Sequence, residues 1–280
     1  MRRKRKNMLF KALSALIVLT SAVSVSGSPI NLGTAGAFGL LGGTISNTGT
    51  SVVNGEVGAT ITVTGFPPGV ATGGVFTGGA VSGPYTDFES ALTFGSGEAS
   101  TQTASGLAVS QTFLGNNVYA FPNVPLTTST AGIILTFDAQ SNSSASFVLQ
   151  FPGALTIDGP ITFNLINGAQ ASNIYWVIGT TASPEAATID PSGVPIIWDG
   201  DILAGTVTVS ANTGGSGVLA SVVNGCVLAV NANTLAGQTD VNGCSATGVS
   251  TPEPGSAGLL AAGCLLGLGL RKVRSSRVRN

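Results

Sequence analysis

Short β-prone runs broken at close intervals by Gly and Asn are the feature that most restricts how this chain can fold. From Ile30 to about Gly83 the pattern is seen in Thr44-Ile45-Ser46-Asn47-Thr48-Gly49 and Thr60-Ile61-Thr62-Val63-Thr64, which read as strands with turns close together. It resumes past Tyr119 and persists to about Leu235. Its strongest strands there are Ile133-Ile134-Leu135-Thr136-Phe137, Ser146-Phe147-Val148-Leu149-Gln150-Phe151 and Ile174-Tyr175-Trp176-Val177-Ile178. Gly supplies 40 of the 280 residues and charged side chains only 8%, a composition that suits tight corners between strands and argues against a helical bundle. One stretch differs. Asp87-Phe88-Glu89-Ser90-Ala91-Leu92 resembles a helix start, with Pro84 and Thr86 as stop and cap residues and Gly95 and Gly97 weakening any continuation.

A loose echo runs through the β pattern. Val52-Val53-Asn54-Gly55, Leu165-Ile166-Asn167-Gly168 and Val222-Val223-Asn224-Gly225 each follow an apolar pair with Asn-Gly, a pair that tolerates the positive φ of a tight corner. The irregular spacing argues against a short-period repeat. The same corner recurring among short strands fits a solenoid whose coils differ in length, or a β-sandwich with hairpins.

Charge is sharply segregated. Arg2, Arg3, Lys4, Arg5, Lys6 and Lys11 lie at one end and Arg271, Lys272, Arg274, Arg277 and Arg279 at the other, with no Lys or Arg between Ala12 and Leu270. The middle keeps every acid, from Glu56 through Glu253. Such a segment cannot neutralise phosphates, so nucleic acid is excluded as a partner.

The ends themselves read as targeting segments. A basic run at residues 2–6, an apolar stretch at 12–25 and the small residues Ser24, Ser26 and Gly27 make residues 1–27 a secretory signal peptide. At the other end Thr251-Pro252-Glu253-Pro254-Gly255 precedes an apolar run, 256–270, and a basic cluster ending at Asn280. A Pro-rich break, a hydrophobic helix and a positive stop form a sorting signal whose basic end stays cytoplasmic. The order resembles the PEP-CTERM tail, with Pro252, Glu253 and Pro254 at the motif positions. That resemblance implies an exosortase-type sorting enzyme, an association with exopolysaccharide and a transient membrane anchor at 256–280. An ordinary membrane anchor is the competing reading. Residues 236–255 read as a linker, which leaves 28–235 as one folded domain.

Cys264 falls in the tail, so the exported part keeps Cys226 and Cys244. In an oxidising compartment two cysteines suggest one disulfide, the alternative being two buried thiols. With no His in the chain, a metal site is not expected.

Several longer strings resemble one family, the microbial ice-binding proteins. Leu32-Gly33-Thr34-Ala35-Gly36-Ala37-Phe38-Gly39-Leu40-Leu41 looks like its opening strand, and Val53-Asn54-Gly55-Glu56-Val57-Gly58 with Thr64-Gly65-Phe66-Pro67-Pro68-Gly69 like its first coils. Residues 165–179, which include Tyr175-Trp176, follow its most recognisable stretch. Asp199-Gly200-Asp201-Ile202-Leu203-Ala204 and Gly217-Val218-Leu219-Ala220 occupy the downstream places. The similarity covers about residues 30–235. It departs at Ser172, where relatives often carry Cys, and in the Gly-interrupted helix region. The resemblance implies an all-β fold, an irregular right-handed three-faced β-solenoid with one short helix packed alongside, and ice or ordered water as the partner.

A solenoid face presents side chains at i and i+2 about 6.7 Å apart along a strand and about 4.8 Å apart between coils. Thr suits an ice-facing surface because its β-branch leaves little rotamer freedom to lose on binding. Thr60, Thr62 and Thr64 in one strand, and Thr206, Thr208 and Ser210 in another, have the required alternation and are the candidate face. Without His, and without Lys in the exported part, Ser-His-Asp, Cys-His and Lys-based catalysis cannot be assembled, so neither an enzyme nor a cofactor is expected. Asp199 and Asp201 are the closest acidic pair; paired carboxylates can hydrolyse glycosides or bind calcium, but at i and i+2 in a turn-rich chain they read as a solvated corner. The alternative function is an extracellular matrix or adhesive surface protein.

Overall fold

The computed structural model describes residues 27–128, 132–191, 194–210 and 220–244. The expected signal peptide core and sorting tail lie outside the described residues. The chain enters through β1 (Phe38–Asn47), β2 (Val52–Val53), β3 (Glu56–Thr64), β4 (Val70–Ala71) and β5 (Val75–Thr77). Helix α1 (Ser82–Gly97) follows. The return path begins with β6 (Gln102–Thr103), β7 (Gln111–Leu114), β8 (Asn117–Ala120), β9 (Leu126–Thr127) and β10 (Ile133–Asp138). It continues through β11 (Phe147–Phe151), β12 (Leu155–Ile157), β13 (Ile161–Ile166), β14 (Ile174–Ile178) and β15 (Ala186–Ile189). It ends with β16 (Ile197–Asp199), β17 (Asp201–Ser210), β18 (Ser221–Asn224), β19 (Val227–Ala236) and β20 (Thr239–Val241).

All the ladders between these strands are parallel, and they build three faces of a solenoid. The first face runs β5-β3-β1-β19-β17-β14-β11-β8-β6. The second is made by the later halves of β3, β1, β19 and β17 with β15, β12 and β9. The third combines β16-β18-β20-β2-β4 with β13-β10-β7. Four long strands pass from the first face to the second through register shifts, between Gly42 and Thr44 in β1 and between Ala204 and Thr206 in β17. Gly43 occupies one such corner because a Cβ there would lie 2.4 Å from the Asn231 carbonyl oxygen.

The chain therefore begins in the middle of its own stack. β1 lies between β3 and β19, and α1 carries the chain from β5 at one end of the first face to β6 at the other. Two cores result. Inside the solenoid Phe113, Phe137, Trp176 and Trp198 form an aromatic column, with ring centroids 5.1, 6.2 and 4.5 Å apart in that order. Outside it, Phe88, Ala91 and Leu92 of α1 bury the outward side chains of the first face, among them Val148, Tyr175, Val177, Leu203 and Leu228.

The helix departs from its sequence reading. It starts at Ser82 after a 3-10 turn, with no side-chain cap. Pro84 sits in the first turn, where no intrahelical donor is needed, and Thr86 donates its hydroxyl to the Ser82 carbonyl instead of capping. Gly95 does not interrupt the helix but lets it approach the sheet, since a Cβ there would lie 2.6 Å from Ile30 Cδ1. The expected linker is also corrected at its start: β20 pairs with β18 and β2, so the fold runs past residue 235 to Cys244.

Cys226 and Cys244 are joined by a disulfide across a separation of 18 residues, with Cα atoms 4.4 Å apart. Asp201 lies beside it, 2% exposed, its carboxylate accepting the Cys226 amide at 3.0 Å. Burial pushes its carboxyl up to about 7, against the smaller downward pull of that hydrogen bond. Replacing both cysteines by Ser should lower the unfolding free energy by about 3 kcal/mol, the value for closing a loop of this length, as read from denaturant titrations. Because the folded carboxyl titrates above its unfolded value of about 3.9, its contribution is complete below about pH 4 and is lost as pH rises through about 7. Thermal midpoints should accordingly fall over that window, and Asp201→Asn should remove the largest part of the fall.

Candidate functional site

The second face is assembled by register. Thr127 of β9 is opposite Thr156 of β12, which is opposite Thr188 of β15. Thr188 faces Thr208 of β17, Thr208 faces Thr234 of β19, Thr234 faces Ser46 of β1, and Ser46 faces Thr64 of β3. Seven adjacent strands thus place seven hydroxyl side chains in one unbroken row, about 29 Å long from six interstrand steps of about 4.8 Å. A second row two residues back along the strands reads Ala186, Thr206, Ala232, Thr44 and Thr62.

Both rows are solvent-facing, half-buried to exposed, while the alternate positions Leu155, Ala187, Val207, Val209, Ile189, Ile45 and Leu235 are at most 1% exposed. The alternation follows from the strand period of two, which sends apolar residues inward and leaves hydroxyls and methyls outside. Neither row contains a charged or long side chain. The surface is therefore low in relief and built only from Thr, Ser and Ala. Asn233 and Asn47 are polar residues that point the other way. Asn233, 1% exposed, donates to the carbonyls of Leu41 at 2.8 Å and Val227 at 3.2 Å, bracing the strands where their registers shift.

Of the six residues singled out from sequence, Thr62, Thr64, Thr206 and Thr208 lie in these two rows. Ser210 extends the face by one more row, opposite Ala236. Thr60 does not belong: the register of β3 against β1 jumps from Ala59 to Thr62, leaving Thr60 and Ile61 at the corner. Thr44, Ser46, Thr127, Thr156, Thr188 and Thr234 were missed. The local signal was present as a hydroxyl residue flanked by inward-pointing ones, in Leu155-Thr156-Ile157 and Ala187-Thr188-Ile189. Leu135-Thr136-Phe137 has the same pattern but lies on the third face, so the signal does not select the surface.

The acidic pair is split between faces. The Asp199 carboxylate accepts Asn224 Nδ2 at 2.7 Å, while Asp201 pairs with Tyr175 on the helix-covered side. No common cleft holds them. Asp201 lies within 4.8 Å of both cysteine sulfurs, but those sulfurs are bonded to each other. Among the described residues no helix is long and apolar enough to cross a membrane.

Comparison with known proteins places this geometry. An ice-binding protein of Nostoc sp. (strain HG1) is 30% identical over 176 residues, covering 61% of this chain and 62% of that protein. The chain thus spans somewhat less than two thirds of that relative. The crystal structure of an ice-binding protein from the Antarctic ascomycete Antarctomyces psychrotrophicus superposes with a TM-score of 0.66 at 26% identity, covering 79% of this chain and all of that one. A glycosylated ice-binding protein from Arctic yeast gives 0.63 at 22% identity, covering 80% of this chain and 98% of its own, which shows a common fold. The family model described as Ice-binding-like matches residues 40–241. That span runs from β1 to β20 and includes the whole hydroxyl row, and the chain belongs to the Ice-binding-like family.

Proposed function

We propose that this protein binds ice through its second face. The observation that carries the reading is the seven-residue hydroxyl row running without a gap from Thr127 to Thr64. Each Thr offers a hydroxyl and a methyl on a side chain of restricted χ1, so water ordered over the row does not have to freeze long, mobile groups. Spacings of about 4.8 Å between strands and about 6.7 Å between rows repeat over the whole surface, which lets a lattice be matched at many points rather than one. Charged heads, which hold their own hydration shells, are missing from both rows.

The test is substitution at the middle and at the corner. Thr208→Tyr and Thr234→Tyr should each raise the concentration needed to inhibit ice recrystallisation at least about tenfold, equivalent to about 1.4 kcal/mol of lost adsorption energy. Thr60→Tyr should leave it unchanged. Full activity in the two central variants, with unaltered circular dichroism, would assign binding to another surface.

We also read the chain as exported and sorted. The basic and apolar leader, the Pro252-Glu253-Pro254 motif and the basic C-terminal cluster support release at the cell surface by an exosortase-type enzyme, near exopolysaccharide. Mass spectrometry of extracellular protein should find a C-terminus close to Pro252, without Cys264. Recovery of the full-length chain from membranes alone would count against cleavage.

A further inference from the structure

We propose that the leader is cut between Ser26 and Gly27, and that the α-ammonium group this creates is the counter-charge of Glu98. The inference rests on reading the N-terminal segment as a leader and is independent of ice binding. Glu98 closes the C-terminus of α1 and is half-buried against the start of the described chain. One of its oxygens accepts the Ser28 amide at 3.1 Å. The other is buried and has no hydrogen-bond partner among the described residues. Burial pushes the Glu98 carboxyl above the usual carboxylate range against the weaker pull of its Ser28 hydrogen bonds, so a nearby cation would favour its ionised form, and between Ala12 and Leu270 the chain has no Lys or Arg to supply one. The one cation that can arise within that stretch is a new chain terminus.

Gly27 is where the fold receives it. Its amide nitrogen lies 3.0 Å from the Asn116 carbonyl oxygen, and its own carbonyl accepts the Ser146 hydroxyl at 2.6 Å. A Cβ at this position would sit 2.9 Å from the Asn117 carbonyl oxygen, so Gly27, in no strand itself, packs against the start of β8 and belongs to the domain, one residue earlier than the boundary expected from sequence. Ser24-Val25-Ser26 supplies the small residues at alternate positions that leader peptidases require. Cleavage adds water across the Ser26–Gly27 amide. Ser26 leaves as a carboxylate on the leader, and the Gly27 nitrogen takes up protons to become an ammonium group. Consecutive backbone nitrogens are at most about 3.7 Å apart, which puts this group within about 7 Å of the Glu98 oxygen that holds Ser28, inside the screening distance of physiological salt.

In the precursor the same nitrogen is a neutral amide and Glu98 has no counter-charge. Removal of the leader thus tightens the segment of residues 27–32 that lies between α1 and the first face, where Ile30 packs against Gly95. Processing and the final docking of the helix become one event.

The experiment uses the full chain, with its leader, in an exporting bacterium. N-terminal sequencing of the exported protein should read Gly27. A different first residue overturns the proposal, and failure to process the chain at all overturns the leader reading with it. The exported protein and its Glu98→Gln variant are then compared before and after acylation of free amines. Because residues 27–270 contain no Lys, the reagent modifies the α-amino group and, where the tail remains, Lys272 equally in both proteins. Glu98→Gln should lower the melting temperature by about 2–4 °C with the amine free, and acylation alone should lower that of the parent. After acylation the two proteins should melt together. Equal effects of Glu98→Gln with and without the free amine would overturn the pairing.

Discussion

The pairing of β1 with β19 is the constraint on which the rest of the molecule depends. It joins the first strand of the domain to the last long one, setting Ser46 opposite Thr234 and Asn47 opposite Leu235. Without it the second face would be two separate strips, a short one carrying Thr62 and Thr64 and a longer one carrying Thr127, Thr156, Thr188, Thr208 and Thr234. Parallel register is all that makes them one surface, because a slip of a single residue would turn every hydroxyl in one block inward. The helix is the topological partner of this junction: it returns the chain to the far end of the stack so that the final strands can grow back toward the first.

A fold with no Lys or Arg must satisfy its backbone and polar side chains without ion pairs to cationic side chains. Corners do much of this. Asn54 donates to Asn242, Asn242 to Asn224 and Asn224 to Asp199, at 3.1, 2.8 and 2.7 Å, forming a side-chain ladder along one edge of the solenoid. Asn47 holds another corner by donating to the Gly49 and Gly65 carbonyls at 2.8 and 3.0 Å. These residues link successive coils where the strand ladders stop, which matters because a buried carbonyl without a partner costs as much as a lost hydrogen bond. The recurring Val-Val-Asn-Gly string is the sequence trace of the first ladder at Asn54 and Asn224. Asn167 belongs to a separate contact with Asp138 at 2.8 Å.

The strongest strands were legible because their residues carry both β propensity and core volume. Tyr175 and Trp176 are 6% and 0% exposed, the ring of Trp176 in the interior column and that of Tyr175 under the helix. The helix was legible at its centre, around Phe88 and Leu92, but not in its extent, since the close approach that makes Gly95 useful involves Ile30, a residue distant in sequence. The hydroxyl face was legible only in fragments. Alternation within one strand pointed to Thr62, Thr64, Thr206 and Thr208, yet it also pointed to Thr60, because the register shift that displaces Thr60 is a property of two strands and not of one. Thr127, Thr156, Thr188, Thr208 and Thr234 fall at unequal intervals along the chain, so no period marks them.

By itself the sequence determined the class of structure and its chemistry. Short strands with Gly and Asn corners point to a β stack, and the lack of Lys and Arg between Ala12 and Leu270 leaves no cationic side chain there to neutralise phosphates, whatever the arrangement. Tertiary structure decided which hydroxyls act together. Neighbours on the second face are tens of residues apart, Ser46 and Thr234 far more than that, and their adjacency is set by backbone hydrogen bonds that any residue but Pro can make. Side chains encode which way each position faces, but the alignment of one strand against the next is an outcome of how all the coils pack.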